Sequence, residues 1–132
     1  MNQVVARFQD GRMLKGLTND FLATKDYFHL TPAGCPPDTE PTTVHLPDLK
    51  AVFFVKDLKG KPAHKKMNEF DPLRTIPGRK IKVVFKDGEV LKGTTQGYQA
   101  GRPGFFLVPV DPLSNNERCY VVTAAAKEIA FV

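Results

Sequence analysis

Residues 4–32 read VVARFQDGRMLKGLTNDFLATKDYFHLTP, and residues 81–109 read IKVVFKDGEVLKGTTQGYQAGRPGFFLVP. The two stretches share one pattern at a constant offset of 77 residues. The identical pairs are Phe8/Phe85, Asp10/Asp87, Gly11/Gly88, Leu14/Leu91, Lys15/Lys92, Gly16/Gly93, Thr18/Thr95, Ala23/Ala100, Phe28/Phe105, Leu30/Leu107 and Pro32/Pro109. The same offset still holds at Val44/Val121. A fixed period of this kind is typical of a repeated structural unit, so the sequence predicts an internal duplication.

Each repeat begins with the alternation of apolar and polar residues that a half-buried strand shows. Val4, Ala6 and Phe8 fall on one face of this strand, and the second repeat has apolar residues in the same three places. An Asp-Gly pair ending at Gly11 follows, and its equivalent ends at Gly88. Asp-Gly suits a tight hairpin because glycine tolerates positive φ. Each repeat therefore opens with a predicted β-hairpin.

Three further strands complete each repeat in this interpretation. Gly16 and Gly93 interrupt the second strand, which often marks a bulge or a bend at a barrel corner. The remaining strands are predicted at 27–31, 43–46 and 50–56, and again at 105–109, 119–123 and 127–132. Closure into a barrel removes the edges that such short strands otherwise leave unpaired. We therefore predict a mainly β fold with two tandem five-stranded SH3-like or Sm-like small barrels packed as a pseudo-twofold pair.

The same pattern predicts the domain organisation. Residues 1–60 form the first small barrel, residues 61–79 a basic linker, and residues 80–132 the second small barrel. No segment has a sustained apolar period of 3.6 residues, so we expect little helix beyond a turn or two, within 64–75.

The formal net charge of +5 is concentrated in and beside the linker. Residues 1–60 are neutral and residues 82–132 carry +1, which leaves +4 for residues 61–81. The candidate electrostatic residues are Lys61, Lys65, Lys66, Arg79 and Lys80. Several phosphate contacts from such cations can supply non-specific nucleic-acid binding. The other interpretation is a solvated, charged connector. We favour the connector because both predicted barrels are nearly neutral.

The composition indicates a folded protein of a reducing compartment. The apolar fraction is 42%, and no apolar run approaches the roughly 20 residues that span a membrane. The first residues show neither a basic region nor an apolar core of a signal peptide. Cys35 and Cys119 do not occupy corresponding places in the two repeats, so we expect two reduced thiols rather than a disulfide framework. We therefore expect a cytoplasmic protein that does not associate with membranes.

The motif apolar–x–apolar–x–x–Asp-Gly–x–x–Leu-Lys-Gly, followed by a third strand, resembles the first signature of Sm-like proteins, including the bacterial Sm-like RNA chaperone. That resemblance covers about 30 residues of each repeat and implies a small barrel. The loop at 19–22 and the turn at 47–49 depart from the RNA-contacting residues of Sm proteins, as do their equivalents at 96–99 and 124–126. RNA binding is therefore not carried over.

The whole chain is also similar to a bacterial family of uncharacterised proteins. The stretches LKAVFFVKDLKG, GRKIKVVFKDGEVLKGTTQGYQAGRPGFFLVP and SNNER carry this similarity. It implies a self-standing family module with no assigned activity.

Residues that could support catalysis are sparse. Ser114 lacks the flanking glycines of a nucleophile elbow. His29, His45 and His64 occur singly, without the ligand spacing of a metal site. The glycines at 97–104 lack the Lys-Ser/Thr of a phosphate-binding loop. We therefore predict no catalytic residues, no cofactor and no metal.

The second repeat contains the most site-like residues. The candidate binding residues are Tyr98, Arg102, Asn115, Asn116 and Arg118, in loops that flank the third strand of this repeat. Aromatic, guanidinium and carboxamide groups suit recognition of planar or anionic groups. The glycines, proline and asparagines of the same loops are also ordinary turn formers, so a structural role remains an alternative.

These observations together predict a non-catalytic binding module. The expected partner is another protein, within a bacterial regulatory or assembly system, and a homo-oligomer is a further option. The alternative is non-specific binding of RNA or DNA through residues 61–81.

Overall fold

A computed structural model of the chain describes residues 1–36, 38–58, 70, 78–111 and 114–132. These residues form ten β-strands, which confirms the mainly β prediction. The strands are β1 (Asn2–Phe8), β2 (Met13–Thr18), β3 (Tyr27–Pro32), β4 (Thr42–His45), β5 (Leu49–Val55), β6 (Arg79–Phe85), β7 (Val90–Thr95), β8 (Gly104–Pro109), β9 (Asn116–Val122) and β10 (Ala126–Phe131).

Helix is confined to two short turns within the described residues. A 3₁₀ helix of three residues, Leu46–Asp48, separates β4 from β5, and another, Thr123–Ala125, separates β9 from β10. The helical turn considered for residues 64–75 lies, apart from Phe70, outside the described residues. None of the described residues forms a helix long and apolar enough to cross a membrane.

The predicted Asp-Gly turns are confirmed. Gly11 and Gly88 have φ of 93° and 94°, in the left-handed region that glycine tolerates without a Cβ clash. Each turn connects an antiparallel pair, β1 with β2 and β6 with β7. The early part of each sequence repeat is therefore a hairpin.

All ten strands belong to one antiparallel sheet. Its order is β10-β6-β7-β8-β9-β5-β1-β2-β3-β4. The five strands before residue 59 and the five after residue 78 follow the same order, since β5-β1-β2-β3-β4 corresponds to β10-β6-β7-β8-β9. The two halves are joined where β5 pairs with β9, with Val52 opposite Tyr120 and Phe53 opposite Cys119. We call this pairing the seam.

The prediction of two closed barrels is wrong, because the sheet of described residues is open. Closing the first barrel requires β4 to pair with β5, and closing the second requires β9 to pair with β10. The seam already occupies the edges of β5 and β9 that those closures need. The seam also joins unlike strands, the fifth of one half and the fourth of the other. A twofold pair, in contrast, brings like surfaces together.

Two hydrophobic clusters lie on opposite faces of the central strands. The first cluster contains Val5, Ala51, Phe53, Val55, Ile81, Val83, Phe85, Phe105, Leu107, Cys119, Val121 and Ala125. The second contains Val4, Ala6, Phe28, Leu30, Val44, Leu46, Leu49, Val52, Phe54, Tyr120 and Val122. Each cluster takes residues from both halves of the chain. Every residue of β5 is buried, because its two faces pack into different clusters.

Candidate functional site

A groove of about 570 Å³ lies beside the seam, between the two halves of the sheet. One wall comes from the first half, with the loop at 23–26 and the turn at 46–47. The other wall comes from the loop at 101–103 and from the end of β9 with the 3₁₀ helix that follows it. Tyr120 and Val122 are among the side chains between these walls. A pocket of this volume falls in the size range of small-ligand and peptide sites.

An aromatic cluster behind the groove supports its first wall. The ring of Phe21, in the loop after β2, makes edge contacts with Phe28, Phe54 and Tyr120 at centroid distances of 5.2–5.3 Å. Phe106 of β8 adds a fourth contact at 6.1 Å. Edge-to-face pairs at these distances add to the burial of the rings. The loop therefore rests on residues of both halves.

Asp20 anchors the same loop to β3. Its carboxylate accepts hydrogen bonds from the backbone N–H of His29 (2.9 Å) and the Thr18 hydroxyl (3.1 Å), and it contacts His29 Nδ1 at 2.6 Å. Burial disfavours the charged carboxylate, but these hydrogen bonds outweigh it and lower the pKa of Asp20. His29, which occurs singly in the sequence, therefore has Asp20 as its partner within the fold.

Two cations and one carboxylate border the otherwise apolar groove. Lys25 and Asp26 lie on the first wall and Arg102 on the second. All three residues are exposed. Neither Lys25 nor Arg102 forms an ion pair with a residue that the structure describes. Burial raises the pKa of Tyr120, and the nearby Arg102 only partly opposes that effect. The groove can therefore accept an apolar group that also carries a negative charge.

The predicted binding residues do not meet in one place. Arg102 lines the groove, whereas Tyr98 is half-buried and packs by ring edges on Phe105 (4.9 Å) and Phe131 (5.5 Å). Arg118 lies on the seam, with its guanidinium 4.4 Å from the ring centroid of Phe54. Such a cation over an aromatic face is an attractive contact within the fold.

Asn115 and Asn116 hold the loop before β9 against the end of β5. The side chain of Asn115 accepts from Asp57 N (3.0 Å) and donates to Asp57 O (2.7 Å). The backbone N–H of Asn116 donates to the Ser114 hydroxyl (3.1 Å), and Asn116 lies opposite Val55 at the end of the seam. The side chain of Asn115 is therefore engaged within the fold, whereas the contacts of Asn116 are made by its backbone.

The predicted electrostatic residues are only partly described. Lys61, Lys65 and Lys66 lie outside the described residues. The Arg79 guanidinium stacks 3.6 Å from the ring centroid of Phe131, and Lys80 Nζ lies 5.3 Å from the ring centroid of Phe70. Arg79 and Lys80 are the first two residues of β6, and each therefore has an aromatic ring beside its charged group.

Lys50 connects the two halves by charge. Its side chain is only 9% exposed, and its Nζ donates to the carboxylates of Asp87 (2.7 Å) and Glu89 in the second half. Nζ also lies 4.7 Å from the ring centroid of Phe85. Burial disfavours the charged amine, but the two carboxylates outweigh this and raise the pKa of Lys50. The hydrogen bond from Lys50 lowers the pKa of Asp87.

Replacing Lys50 by Met should lower the free energy of unfolding by about 1–2 kcal/mol, because charge-assisted hydrogen bonds are lost. The loss is limited because the two carboxylates are half-exposed and can hydrogen-bond with water instead. The matched control is Lys127→Met, at the same place in the second half and exposed, where a change within about 0.5 kcal/mol is expected. Urea unfolding at neutral pH measures both.

The Lys50 contribution should also depend on pH. Asp87 has a lowered pKa in the folded state, so its part of the stabilisation is complete above its ordinary value of 3.8 and is lost as pH falls through the lower folded value. The difference between wild type and Lys50→Met should therefore shrink below about pH 4. A difference that stays constant from pH 7 to pH 3 would contradict this role of the ion pair.

Apart from Arg102, the groove residues were not predicted from the sequence. Tyr120 and Val122 occupy the positions that Thr43 and His45 occupy in the first repeat. This replacement of polar by apolar residues indicated that the strand edge at 120–122 is buried, whereas the equivalent edge of the first repeat is not. The predicted Asn115 lies outside this groove and is hydrogen-bonded to the backbone of Asp57. No three His, Cys, Asp or Glu side chains come together as a metal-binding group within the described part of the chain.

The comparisons with known proteins assign the chain to a family without adding an activity. No curated protein and no solved structure matches it. A family model matches residues 1–132. The chain therefore belongs to DUF6982, a family of unknown function.

Proposed function

We propose that the chain is a non-catalytic module that binds a protein partner through the groove beside the seam. The groove itself carries this proposal, since it combines apolar walls with two cations that lack an ion-pair partner among the described residues. The partner then supplies a short segment with apolar side chains and at least one carboxylate. We also propose a cytoplasmic location and an origin of the two halves as tandem copies of an Sm-like or SH3-like unit.

The chemistry of the walls supports this type of ligand. Pro47, Pro103 and Ala124 offer exposed apolar surface, whereas Leu46, Tyr120 and Val122 line the groove as residues that are already buried. Binding an apolar side chain here removes the exposed part of this lining, and the ligand's own apolar surface, from water at about 25 cal/mol per Å² of apolar area.

The two cations of the groove, Lys25 and Arg102, favour a segment that carries a negative charge. Arg102 can form two parallel hydrogen bonds with a carboxylate, and Lys25 faces it from the opposite wall. The nearby Asp26 disfavours a second negative group at the first wall, so a single carboxylate fits best. A segment that binds well must therefore carry both apolar side chains and a carboxylate, so the groove should select acidic, apolar segments.

A random peptide library displayed on phage, selected on the immobilised full chain, tests the proposal. Selected peptides should share a carboxylate beside apolar residues. Their binding should be abolished by Ala124→Arg, which places a long side chain at the exposed lip of the groove. Arg102→Glu should weaken it about 10- to 100-fold, because a charge-assisted hydrogen bond contributes about 1.5–3 kcal/mol.

Lys86→Glu is the matched control, since it makes the same type of charge change at an exposed residue of the β6–β7 turn. It should leave the affinity of the selected peptides unchanged. Peptides that bind wild type and Ala124→Arg equally would contradict the proposal. Salt-sensitive, micromolar binding to random RNA that is lost on replacing Lys61, Lys65 and Lys66 by Ala would favour the nucleic-acid alternative instead.

A further inference from the structure

We propose that copies of this chain associate head to tail, with β10 of one copy pairing with β4 of the next. In the sheet of described residues these two strands have a neighbour on one side only. We call their open sides the free edges. By the repeat offset, β10 corresponds to β5, and β4 corresponds to the part of β9 that pairs at the seam. The free edges are thus the counterparts of the two strands that already pair at the seam.

The backbone of β4 offers donors in the direction that this pairing needs. Leu46 N donates to Asp26 O (2.8 Å), towards β3. Because N–H directions alternate along a strand, the N–H groups of Thr43 and His45 point away from β3. Their counterparts at the seam are Tyr120 and Val122 of β9.

The backbone of β10 is complementary. Val132 N donates to Lys80 O (3.1 Å), towards β6, so the N–H groups of Ile129 and Phe131 point outwards. At the seam Val52 lies opposite Tyr120. Shifting both residues by the repeat offset places Ile129 opposite Thr43 in the next copy.

Side-chain exposure shows what the seam covers and the free edge leaves open. Phe54 is 4% exposed, whereas its counterpart in the second half, Phe131, is 38% exposed although Arg79 and Tyr98 already contact its ring. A strand edge with unpaired backbone groups is a template for pairing with another chain. At the seam Phe54 lies opposite Arg118, so a second copy placed in the same way would set Pro41, directly before its β4, opposite Phe131.

The free-edge contact is weaker than the seam. Thr42, Thr43 and His45 replace the more apolar Cys119, Tyr120 and Val122, so less apolar surface is buried. Pro41 has no N–H and removes one hydrogen bond from the ladder. The contact is also heterologous, joining unlike surfaces, so copies add in sequence until a ring closes or a short chain forms. The proposal does not depend on the peptide groove.

Analytical ultracentrifugation of the full chain tests this association. The average mass should rise steadily between ~10 µM and ~1 mM, the range of a weak contact, and pass beyond a dimer. A mass that stays monomeric to ~1 mM overturns the proposal. A mass that stops at a dimer also overturns it, because a dimer indicates pairing of like surfaces.

Cysteine cross-linking tests the register. Ala130 should face Thr42 of the next copy in a non-hydrogen-bonded pair, the counterpart of Phe53 facing Cys119. Cα atoms of such pairs lie about 4.5 Å apart, within disulfide reach. In a Cys35→Ser background, which removes the exposed native thiol, chains with Thr42→Cys and chains with Ala130→Cys are mixed and oxidised with diamide.

A disulfide between the two different chains is expected to dominate. In the matched control, Thr42→Cys is mixed with Val108→Cys, an exposed position on β8, and should give at least tenfold less product. Preferential linking of Ala130→Cys chains to each other, or equal yields in test and control, would overturn the register. Circular dichroism of each variant confirms the native fold, and the wild-type mass measurement decides the proposal if a variant does not fold.

Discussion

Residues 79–132 expressed alone should be unfolded or aggregated, and the full chain should unfold in one transition. The cluster that forms the core of this half has twelve buried members, and four of them, Val5, Ala51, Phe53 and Val55, come from the first half. Burial of a Val or Phe side chain contributes about 1.5–3 kcal/mol. The combined contribution of the three larger side chains, about 4.5–9 kcal/mol, is comparable to the roughly 3–8 kcal/mol that a domain of this size has in total.

The truncation also exposes the β9 edge that pairs with β5. An unpaired apolar edge favours aggregation, so light scattering is measured together with circular dichroism. For the full chain, unfolding followed by circular dichroism and by hydrogen exchange should show one midpoint for both halves. Two separate thermal transitions, each reproduced by an isolated half, would contradict the shared core.

The strands and turns were predictable because their signals are local. Alternation around Val4 and Ile81, and the Asp-Gly pairs at Gly11 and Gly88, depend only on neighbouring residues. The third strand was predicted at 27–31 and is observed at Tyr27–Pro32. Local patterns of this type determine element type well.

The seam was not predictable from those signals, since edge pairing depends on which strands meet in three dimensions. The sequence nevertheless differs between the counterparts β5 and β10. Apolar Ala51 and Phe53 correspond to Glu128 and Ala130. Apolar residues on both sides of β5 are typical of a strand covered on both faces, and this contrast was the available sign of an open, joined sheet.

The candidate site shows the same limit. Arg102 was singled out for its chemistry and does line the groove, but the opposite wall comes from Lys25 and Leu46, far away in the sequence. Asn115 was predicted for the same reason, and its side chain hydrogen-bonds with the backbone of Asp57 outside the groove. Residue type alone does not determine which loop residues come together in the fold.

Replacing Gly93 by Ala should be strongly destabilising. A Cβ at this position would lie 2.1 Å from the backbone O of Val108 and 2.5 Å from Leu107 Cδ2. The oxygen belongs to β8, which pairs with β7 at Gly93 and Thr94, so the clash cannot be relieved by rotating a side chain. The sequence predicted a bulge or bend at this glycine, and the structure shows that it permits the close approach of two backbones.

Overpacking costs typically about 1–3 kcal/mol when side chains can adjust, so a rigid backbone contact should bring Gly93→Ala to at least about 3 kcal/mol. Gly97→Ala is the matched control, because a Cβ there meets no atom within 4 Å and the φ is ordinary. It should change stability by no more than about 0.5 kcal/mol. Urea unfolding of the full chain measures both, and a Gly93→Ala variant within about 1 kcal/mol of wild type would show that β7 and β8 separate more easily than their pairing indicates.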